Sequence, residues 1–401
     1  MVKKRISLII LLALLSWTIF SVIKQRNLFD WAADSSLEIE PSESAISQIF
    51  DAKKPAQGDL AKLSLPPGFS ISYFADNVPG ARSIAVAEQG TIVFVGTRDK
   101  TVYAITDPDL NGVSNEIVKV ATNLNSPNGV AVKDGALYVA EISRILKYPN
   151  ISSTFRGKPT PQVVYDDYPR DTHHGWKYLS FGPDGLLYVP IGAPCNNCLD
   201  KGKYARLTTL DLNSPNQITY ATGIRNTVGF DWNPVDGSLW FTDNGRDGLG
   251  DDTPKDELNR INNPGDHFGF PQCHGYDTAD PQLGNPDSCG DQQKPALELG
   301  PHVASLGMKF YHGEMFPQEY KKRIIIAEHG SWNRTEPIGY RLTSVDIEGQ
   351  SASNYQTFVD GWLVGEEAWG RPVDLAELPD GSILVSDDKA GAIYRISYHE
   401  N

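Results

Sequence analysis

From about residue 65 to the C-terminus, short apolar runs alternate with turns rich in Gly, Pro and Asp. In one such unit, residues 179–181 and 186–189 are mainly apolar runs joined by Gly-Pro-Asp-Gly. Runs of this length, rich in Val, Ile, Phe and Tyr and bounded by turn residues, are typical of β-strands joined by tight turns. The pattern predicts an all-β chain with many short strands rather than long helices.

The two-run unit recurs six times. The first runs of the six units begin at Ser83, Gly129, Leu179, Val228, Gly307 and Val373, so they lie 46, 50, 49, 79 and 66 residues apart. A four-stranded propeller blade takes roughly 40–50 residues, and longer spacings indicate insertions. The sequence therefore predicts a six-bladed β-propeller with four-stranded blades over residues 61–401, with a loop excursion at about 246–300. The run at residues 69–74 is predicted to close the ring onto the last blade.

Residues 1–26 form a different segment, with Lys3, Lys4 and Arg5 followed by apolar residues 6–23. A signal peptide has this charge pattern, but no small-x-small cleavage site follows the apolar run. The run has about the minimum length of a membrane span, and the denser positive charge before it predicts a cytoplasmic N-terminus. An uncleaved anchor is favoured over a cleaved signal peptide. Residues 27–60 are polar and are predicted to be a linker, with the main domain on the periplasmic or extracellular face.

Cysteine usage and charge narrow the possible functions. Cys195 with Cys198, and Cys273 with Cys289, form two local pairs, and an even number of cysteines in an exported protein predicts disulfides. Three connectivities are possible, and the two local bonds are favoured. The second pair lacks zinc-site spacing, and Leu199 after Cys198 excludes haem attachment there. The net charge of −14 argues against nucleic acid binding, so an anionic ligand would need a local cluster of basic residues.

Polar residues precede three of the apolar runs. His173 and His174 stand before the third unit, Arg225 and Asn226 before the fourth, and Arg371 before the sixth. In a ring of blades such strand entrances converge on one central opening, here called the mouth. A histidine there could be a general base near neutral pH, and an Arg beside an Asn could polarise a carbonyl.

Two further stretches carry candidate ligands. Residues 243–259 combine clustered carboxylates with glycines, a composition that suits calcium, although their spacing is not that of an EF-hand. His329 and Arg334 lie in a second stretch, and the arginines near the mouth could together hold several carboxylates of an anionic ligand. Singly, each of these arginines is better explained as a solvated side chain. Their shared position at strand ends favours a site.

Six passages resemble, in the same order, the soluble pyrroloquinoline-quinone-dependent sugar dehydrogenases, in particular the aldose and sorbosone dehydrogenase-like branch. They are residues 173–185, 223–226, 243–259, 302–311, 327–334 and 369–371, within roughly 60–397. The resemblance implies a six-bladed propeller that binds pyrroloquinoline quinone and calcium at its mouth. It also implies oxidation of an aldose or related sugar, with hydride passing to the quinone and electrons to an external cytochrome or quinone.

The resemblance also implies roles for single residues. His174 would remove the hydroxyl proton, while Arg225 and Asn226 would lie beside the reacting quinone carbonyl. Calcium would be held by residues of the stretch Asn244, Gly245 and Arg246. The residues implied in cofactor binding are His173, Arg225, Asn226, Arg246, His329, Arg334 and Arg371. Glucose-oxidising members have an aspartate at the position of His173, a Gly-Pro pair at the calcium stretch and a cofactor-binding lysine near His329.

Two other functions remain open on the sequence. A calcium-dependent lactonase on a similar propeller could use Asn128, at the second blade entrance, as a metal ligand. It would need acidic ligands at several entrances, where this chain has mostly basic or neutral residues. A non-catalytic propeller that binds a protein or glycan would need no polar cluster at the mouth. The dehydrogenase is the favoured hypothesis.

Overall fold

The computed structural model describes residues 59–199, 202–214 and 216–400, all within a unit that spans Phe50–Asn401. The predicted anchor at residues 1–26 and nearly all of the predicted linker at 27–60 lie outside the described residues. In the described part, no helix combines the length and the apolar character needed to span a bilayer. Membrane anchoring and export therefore stay predictions.

Six four-stranded antiparallel sheets form the blades. Strand β1 (Phe69–Ala75) comes first and belongs to the last blade. Blade 1 contains β2 (Ala81–Ala87), β3 (Ile92–Thr97), β4 (Val102–Thr106) and β5 (Glu116–Ala121). Blade 2 contains β6 (Gly129–Lys133), β7 (Ala136–Ala140), β8 (Ile145–Tyr148) and β9 (Gln162–Tyr165). Blade 3 contains β10 (Ser180–Phe181), β11 (Leu187–Ile191), β12 (Arg206–Leu210) and β13 (Gln217–Thr222).

The second half of the ring is built in the same way. Blade 4 contains β14 (Phe230–Trp232), β15 (Leu239–Asp243), β16 (Lys255–Arg260) and, after the hairpin of β17 (Cys273–His274) and β18 (Thr278–Ala279), β19 (Leu297–Pro301). Blade 5 contains β20 (Ser305–Phe310), β21 (Arg323–Glu328), β22 (Arg341–Glu348) and β23 (Ser351–Val359). The hairpin of β24 (Leu363–Val364) and β25 (Glu367–Ala368) precedes blade 6, which contains β26 (Pro372–Glu377), β27 (Ile383–Asp387), β28 (Ala392–Tyr398) and β1.

Helical structure in the described part of the chain is limited to short turns. One α-helical turn spans Ile151–Thr154. Short 3₁₀ turns span Asp59–Lys62, Glu88–Gly90, Phe155–Gly157 and Gln318–Lys322. The prediction of six four-stranded blades is confirmed, and each predicted pair of runs corresponds to the first two strands of a blade.

The ring closes as the sequence predicts. Strand β1 pairs antiparallel with β28, with Phe69 opposite Tyr398 and Ile71 opposite Ile396. This pairing joins the first strand to the last blade, so the two ends of the propeller hold each other. Both local disulfides, Cys195–Cys198 and Cys273–Cys289, are present.

The innermost strands of neighbouring blades approach closely at glycines. A Cβ added to Gly129 would lie 2.4 Å from the carbonyl oxygen of Lys177. A Cβ added to Gly229 would lie 2.3 Å from the carbonyl oxygen of Leu306. Any side chain at these positions would push adjacent blades apart. This close packing carries the residues that precede each inner strand to a common end of the central axis.

The region predicted as an excursion also supplies two strands of blade 4, β16 and β19. The inserted segment, here called the excursion, is residues 261–296. Strand β16 has the polar sequence Lys-Asp-Glu-Leu-Asn-Arg, yet Asp256, Glu257 and Asn259 are buried. All three side chains take part in hydrogen bonds, although Oδ1 of Asn259 has no partner. Hydrophobic alternation therefore does not mark this strand.

Candidate active site

His174 lies in the tight turn that leads towards the inner strand of blade 3. Its backbone is left-handed, with φ of 47°, and the N–H of Gly175 donates to the carbonyl of Thr172 at 3.1 Å. Nδ1 of His174 lies 2.9 Å from the carbonyl oxygen of Ala193. Because a carbonyl only accepts hydrogen bonds, Nδ1 carries the ring proton and Nε2 keeps its lone pair.

The surroundings hold the imidazole of His174 in its neutral form. Burial lowers its pKa well below the ordinary value of 6.5, and the nearby Arg225 and His173 lower it further. Both effects act because the charged ring loses hydration and is repelled by other positive charge. The ring centroid of His173 lies 4.1 Å from that of His174. His174 can therefore accept a proton at Nε2 at neutral pH.

Residues 192 and 193, which follow β11, join His174 to the entrance of blade 4. Ala193 accepts the bond from His174, and its own N–H donates to the carbonyl of Arg225 at 2.8 Å. An added Cβ on Gly192 would lie 2.5 Å from Cβ of His174 and 3.3 Å from Oδ1 of Asn226. The structure thus brings the three predicted catalytic residues together at one part of the mouth.

The guanidinium of Arg225 is buried and held by neighbours on two sides. Its Nε donates to the backbone carbonyl of Asn196 at 2.9 Å, and its Nη2 donates to Oδ1 of the same residue at 2.9 Å. Nη1 donates to the carbonyl of Asn244 at 3.2 Å, and Nη2 lies 3.4 Å from a carboxylate oxygen of Asp247. A positive charge in a fixed orientation is the group needed to stabilise negative charge that develops on a nearby oxygen.

Two buried carboxylates support this entrance. Asp243 accepts the backbone N–H of Arg225 at 2.8 Å and that of Asn226 at 2.6 Å, and it lies opposite Glu257 in the register of β15 and β16. Burial raises the pKa of both carboxyl groups, and Glu257 raises that of Asp243 further, so the pair keeps a proton at neutral pH. With His274 they line a cavity of about 10 Å³, room for about one water molecule.

A second group of charged residues comes from blades 1, 5 and 6. Arg82 donates to Asp388 at 3.0 Å, and Nε2 of His329 lies 2.8 Å from the other carboxylate oxygen of Asp388. Arg371 donates to the backbone carbonyls of His329 at 2.9 Å and Gly330 at 2.6 Å. We call Arg82, Arg371 and the neighbouring Arg98 the arginine cluster.

Two buried carboxylates, those of Asp387 and Asp388, lie near the three guanidinium groups of the arginine cluster. Burial together with the charges of Arg82 and Arg371, opposed by that of Asp388, lowers the pKa of Arg98 to about 9. Arg98 therefore stays charged at neutral pH, whereas burial and Arg371 lower the pKa of His329 to about 3 and leave it neutral. The guanidinium of Arg98 also stacks 3.8 Å from the ring centre of Trp176. A bound anion would relieve the repulsion among these charges.

The predicted calcium stretch lies next to Arg225. Nδ2 of Asn244 donates to the carbonyl of Ser305 at 2.6 Å, and the N–H of Gly245 donates to Asp256 at 3.0 Å. Over the described ranges, no three or more His, Cys, Asp and Glu side chains group to hold a metal ion. The predicted ligands include backbone carbonyls, so calcium binding here stays a prediction.

Two of the predicted cofactor ligands already pair with carboxylates of the protein. Arg246 is buried and donates to Asp280 of the excursion at 2.7 Å. Arg334 donates to the carbonyl of Asp251 and lies 3.3 Å from the carboxylate of Asp252. Both side chains are engaged within the protein, and their roles in cofactor binding remain predictions.

Comparisons with known proteins identify the family and match the fold. The profile of the TrAA12-like family matches residues 63–399. The chain belongs to the TrAA12-like family. A solved structure of family AA12 from Trichoderma reesei matches the fold with a TM-score of 0.74 at 18% identity, covering 86% of this chain and 100% of that one. The family resemblance drawn from the sequence is thereby confirmed.

Two curated relatives of this TrAA12-like chain differ in coverage. An uncharacterised protein of Borreliella burgdorferi is 33% identical over 86% of this chain and 93% of its own length. A pyrroloquinoline quinone-dependent pyranose dehydrogenase of Coprinopsis cinerea is 33% identical over 26% of this chain and 16% of its own length. The second match therefore covers a short part of both proteins.

Sequence reasoning missed several residues of the mouth. Arg82 stands at the entrance of blade 1 as Arg371 does at that of blade 6, so the entrance pattern could have found it. Arg98 and Asp388 follow second strands, where no pattern pointed to them. Asn128 accepts from Arg82 at 3.0 Å and donates to the carbonyl of Lys177 at 2.9 Å. Its amide thus links three blades, a role unlike the metal ligation of the lactonase hypothesis.

Lys177 is a buried lysine that the sequence places inside an apolar stretch. Its Nζ donates to the backbone carbonyl of Gly175 at 2.9 Å and also to that of Ile142. These bonds tie the turn that carries His174 to blade 2. Burial lowers the pKa of Lys177 to about 7, because the charged amine is poorly solvated there.

Lys177 is expected to make the free energy of unfolding rise as the pH is raised above 7. Between pH 7 and the ordinary pKa of 10.5, the unfolded chain binds one proton more at this residue than the folded chain, so stability rises with pH. The free energy of unfolding, measured with urea at a series of pH values, should rise with pH more steeply in wild type than in Lys177→Met. The difference between the two slopes should be about 1.4 kcal/mol per pH unit. Parallel stability curves for the two proteins from pH 8 to 10 would contradict this expectation.

Proposed function

We propose that the protein is a pyrroloquinoline quinone-dependent dehydrogenase that oxidises an aldose or related sugar at the mouth of the propeller. The observation that carries the proposal is the junction at residues 192 and 193. It holds the neutral His174 beside the charged Arg225 and the amide of Asn226. The named activity of the Coprinopsis cinerea relative supports the same substrate class and cofactor.

The residues of the mouth fit the cofactor chemically. Pyrroloquinoline quinone is a planar group with three carboxylates, and the arginine cluster places three guanidinium groups near the carboxylates of Asp387 and Asp388. Arginine binds carboxylates through paired N–H donors and stacks on flat groups. Arg82, Arg98 and Arg371 would therefore hold the carboxylates of the quinone. Calcium, bound near Asn244, would add a Lewis acid.

The residues of the chain would divide the chemistry as follows. Nε2 of His174 accepts the proton of the sugar hydroxyl, because its pKa is low enough to keep the ring neutral. The positive charge of Arg225 stabilises negative charge on an oxygen in the mouth, since the site is buried and weakly screened. Asn226 offers an amide beside His174. The quinone, when bound, supplies the acceptor for the hydride of the sugar carbon.

The electron acceptor and the place of action belong to the proposal as well. The two electrons taken from the sugar would leave to an external cytochrome or quinone, because the chain has no haem-attachment sequence. The charged and apolar start of the chain supports action on the periplasmic or extracellular face, with anchoring through residues 6–23.

The proposal predicts stoichiometric uptake of pyrroloquinoline quinone. The full-length protein, purified in detergent, would be titrated with the quinone with and without calcium and then given aldoses and a dye acceptor. We expect one quinone per chain and sugar-dependent reduction of the dye. Arg371→Leu should weaken quinone binding by roughly 10- to 100-fold, as for loss of a hydrogen bond to a charged group.

Arg395→Leu is the matched control for this titration. Arg395 also lies in blade 6, but it pairs with Asp380 at the turn far from the entrance, at 2.5 Å. Its loss should leave quinone affinity unchanged. Absence of quinone uptake under every metal condition would sink the dehydrogenase proposal. Lactone hydrolysis by the same sample would then favour the lactonase, and neither activity would favour a binding propeller.

A further inference from the structure

We propose that Asn196, in the turn closed by the Cys195–Cys198 disulfide, is a positioning residue that fixes the orientation of Arg225. The inference rests on the proposed function, in which Arg225 stabilises negative charge in the mouth. Asn196 itself acts through Arg225.

Asn196 holds one whole edge of the Arg225 guanidinium. Its backbone carbonyl accepts from Nε at 2.9 Å, and its side-chain Oδ1 accepts from Nη2 at 2.9 Å. Arginine presents its donors in a rigid planar fork, so two acceptors from one residue fix both the position and the plane of the group. The carboxylate of Asp247 is more distant, at 3.4 Å, and cannot set the plane alone.

Asn196 is in turn fixed by a pair of reciprocal bonds. Its Oδ1 also accepts the N–H of Asp247 at 2.8 Å, and its Nδ2 donates to the carbonyl of the same residue at 3.1 Å. The amide therefore uses its oxygen twice and its nitrogen once. This ring joins the Cys195–Cys198 turn to the loop after β15, which carries the predicted calcium stretch.

The Cys195–Cys198 disulfide restrains the turn that carries Asn196. Cys195 and Cys198 are three residues apart, so the bond closes a loop that contains little besides Asn196 and Asn197. Asn197 donates to Asp280 of the excursion at 3.1 Å, and the excursion is closed by Cys273–Cys289. Two disulfide-closed loops thus meet beside Arg225. Such second contacts commonly set how well a catalytic group is oriented.

The test compares Asn196→Leu with Asn196→Asp in the full-length protein. The leucine variant loses both side-chain roles, and kcat should fall by about 10- to 100-fold, with KM for the sugar and quinone affinity within about threefold of wild type. Aspartate keeps an acceptor for Nη2, so Asn196→Asp should recover most of kcat. Asn262→Leu, an exposed asparagine paired with Gln293 at 3.0 Å, should behave like wild type.

A second measurement does not depend on turnover. Crystal structures of the quinone-free wild type and Asn196→Leu should show the Arg225 guanidinium ordered in the first and displaced or in several conformers in the second. The Cys195→Ser/Cys198→Ser double variant should reproduce this displacement. An unmoved guanidinium in Asn196→Leu overturns the inference, and so does an active variant with kcat within twofold of wild type. If wild type takes up no quinone, the proposed function fails, and the crystal structures still decide on the positioning role.

Discussion

Replacing His174 by alanine is expected to lower kcat by roughly 10²- to 10⁴-fold, the usual range for loss of a positioned general base. Quinone uptake should stay stoichiometric, because the three arginines that are proposed to hold the carboxylates of the quinone are unchanged in this variant. The measurement is steady-state oxidation of a sugar with a dye acceptor, alongside quinone titration of the same samples. Together they separate loss of a proton acceptor from loss of the cofactor.

The pH profile gives a second readout for His174. Its pKa lies well below 6.5 in the folded protein, and only the neutral ring can accept a proton. The acidic limb of kcat/KM in wild type should therefore lie below pH 6.5. His312→Ala, at an exposed histidine, should change neither kcat nor the limb. A His174→Ala enzyme with kcat within threefold of wild type would remove His174 from the proposed role.

The parts of the site that the sequence predicts are those tied to strand entrances. His174, Arg225 and Arg371 each precede an inner strand, and the period of the repeat brings such positions to one end of a ring. The same rule extends to Arg82, which the repeat would have marked had the first unit been treated like the sixth. The position of these residues before a strand and the repeat of the blades around the ring both place them at the mouth. This prediction therefore needs no knowledge of side-chain contacts.

The parts that it does not predict depend on contacts distant in sequence. Arg82 and Asp388 are 306 residues apart, and their pairing exists only because the ring closes through β1. Arg246 has a residue type suited to an anionic ligand, but its partner Asp280 is set by the path of the excursion. Because the excursion is largely polar, no periodicity reveals that path. The type of a residue therefore indicates which ligand it could bind, but its actual partner within the protein is known only from the fold.

The mouth is a local exception to the charge of the protein. The chain has a net charge of −14, yet three arginines gather at the mouth beside two buried aspartates, Asp387 and Asp388. Burying such an arrangement costs free energy, since like charges repel strongly in a medium of low dielectric constant. A bound anion would offset this cost, because its negative charge reduces the repulsion among the arginines. Overall attraction plays no part, so recognition depends on the geometry of the cluster.

Replacing Arg225 by methionine is expected to lower kcat by about 10²- to 10³-fold, as when a preorganised donor to a developing oxyanion is removed. Methionine fills much of the same space but offers neither charge nor N–H donors. Arg225→Lys should restore only part of the loss. An ammonium keeps the charge but cannot reach the two acceptors of Asn196 with a planar fork, so its position is less defined.

The kinetic pattern distinguishes a catalytic Arg225 from one that only binds. Loss of an interaction made in the transition state lowers kcat and kcat/KM together, whereas loss of uniform binding raises KM alone. We expect the first pattern for Arg225→Met, with quinone affinity within about threefold of wild type because the arginine cluster is intact. Arg156→Met, at an exposed arginine paired with Glu116 at 2.7 Å, serves as the control. Unchanged kcat with weakened quinone binding would instead assign Arg225 to the cofactor, and the stabilising charge would have to come from bound calcium.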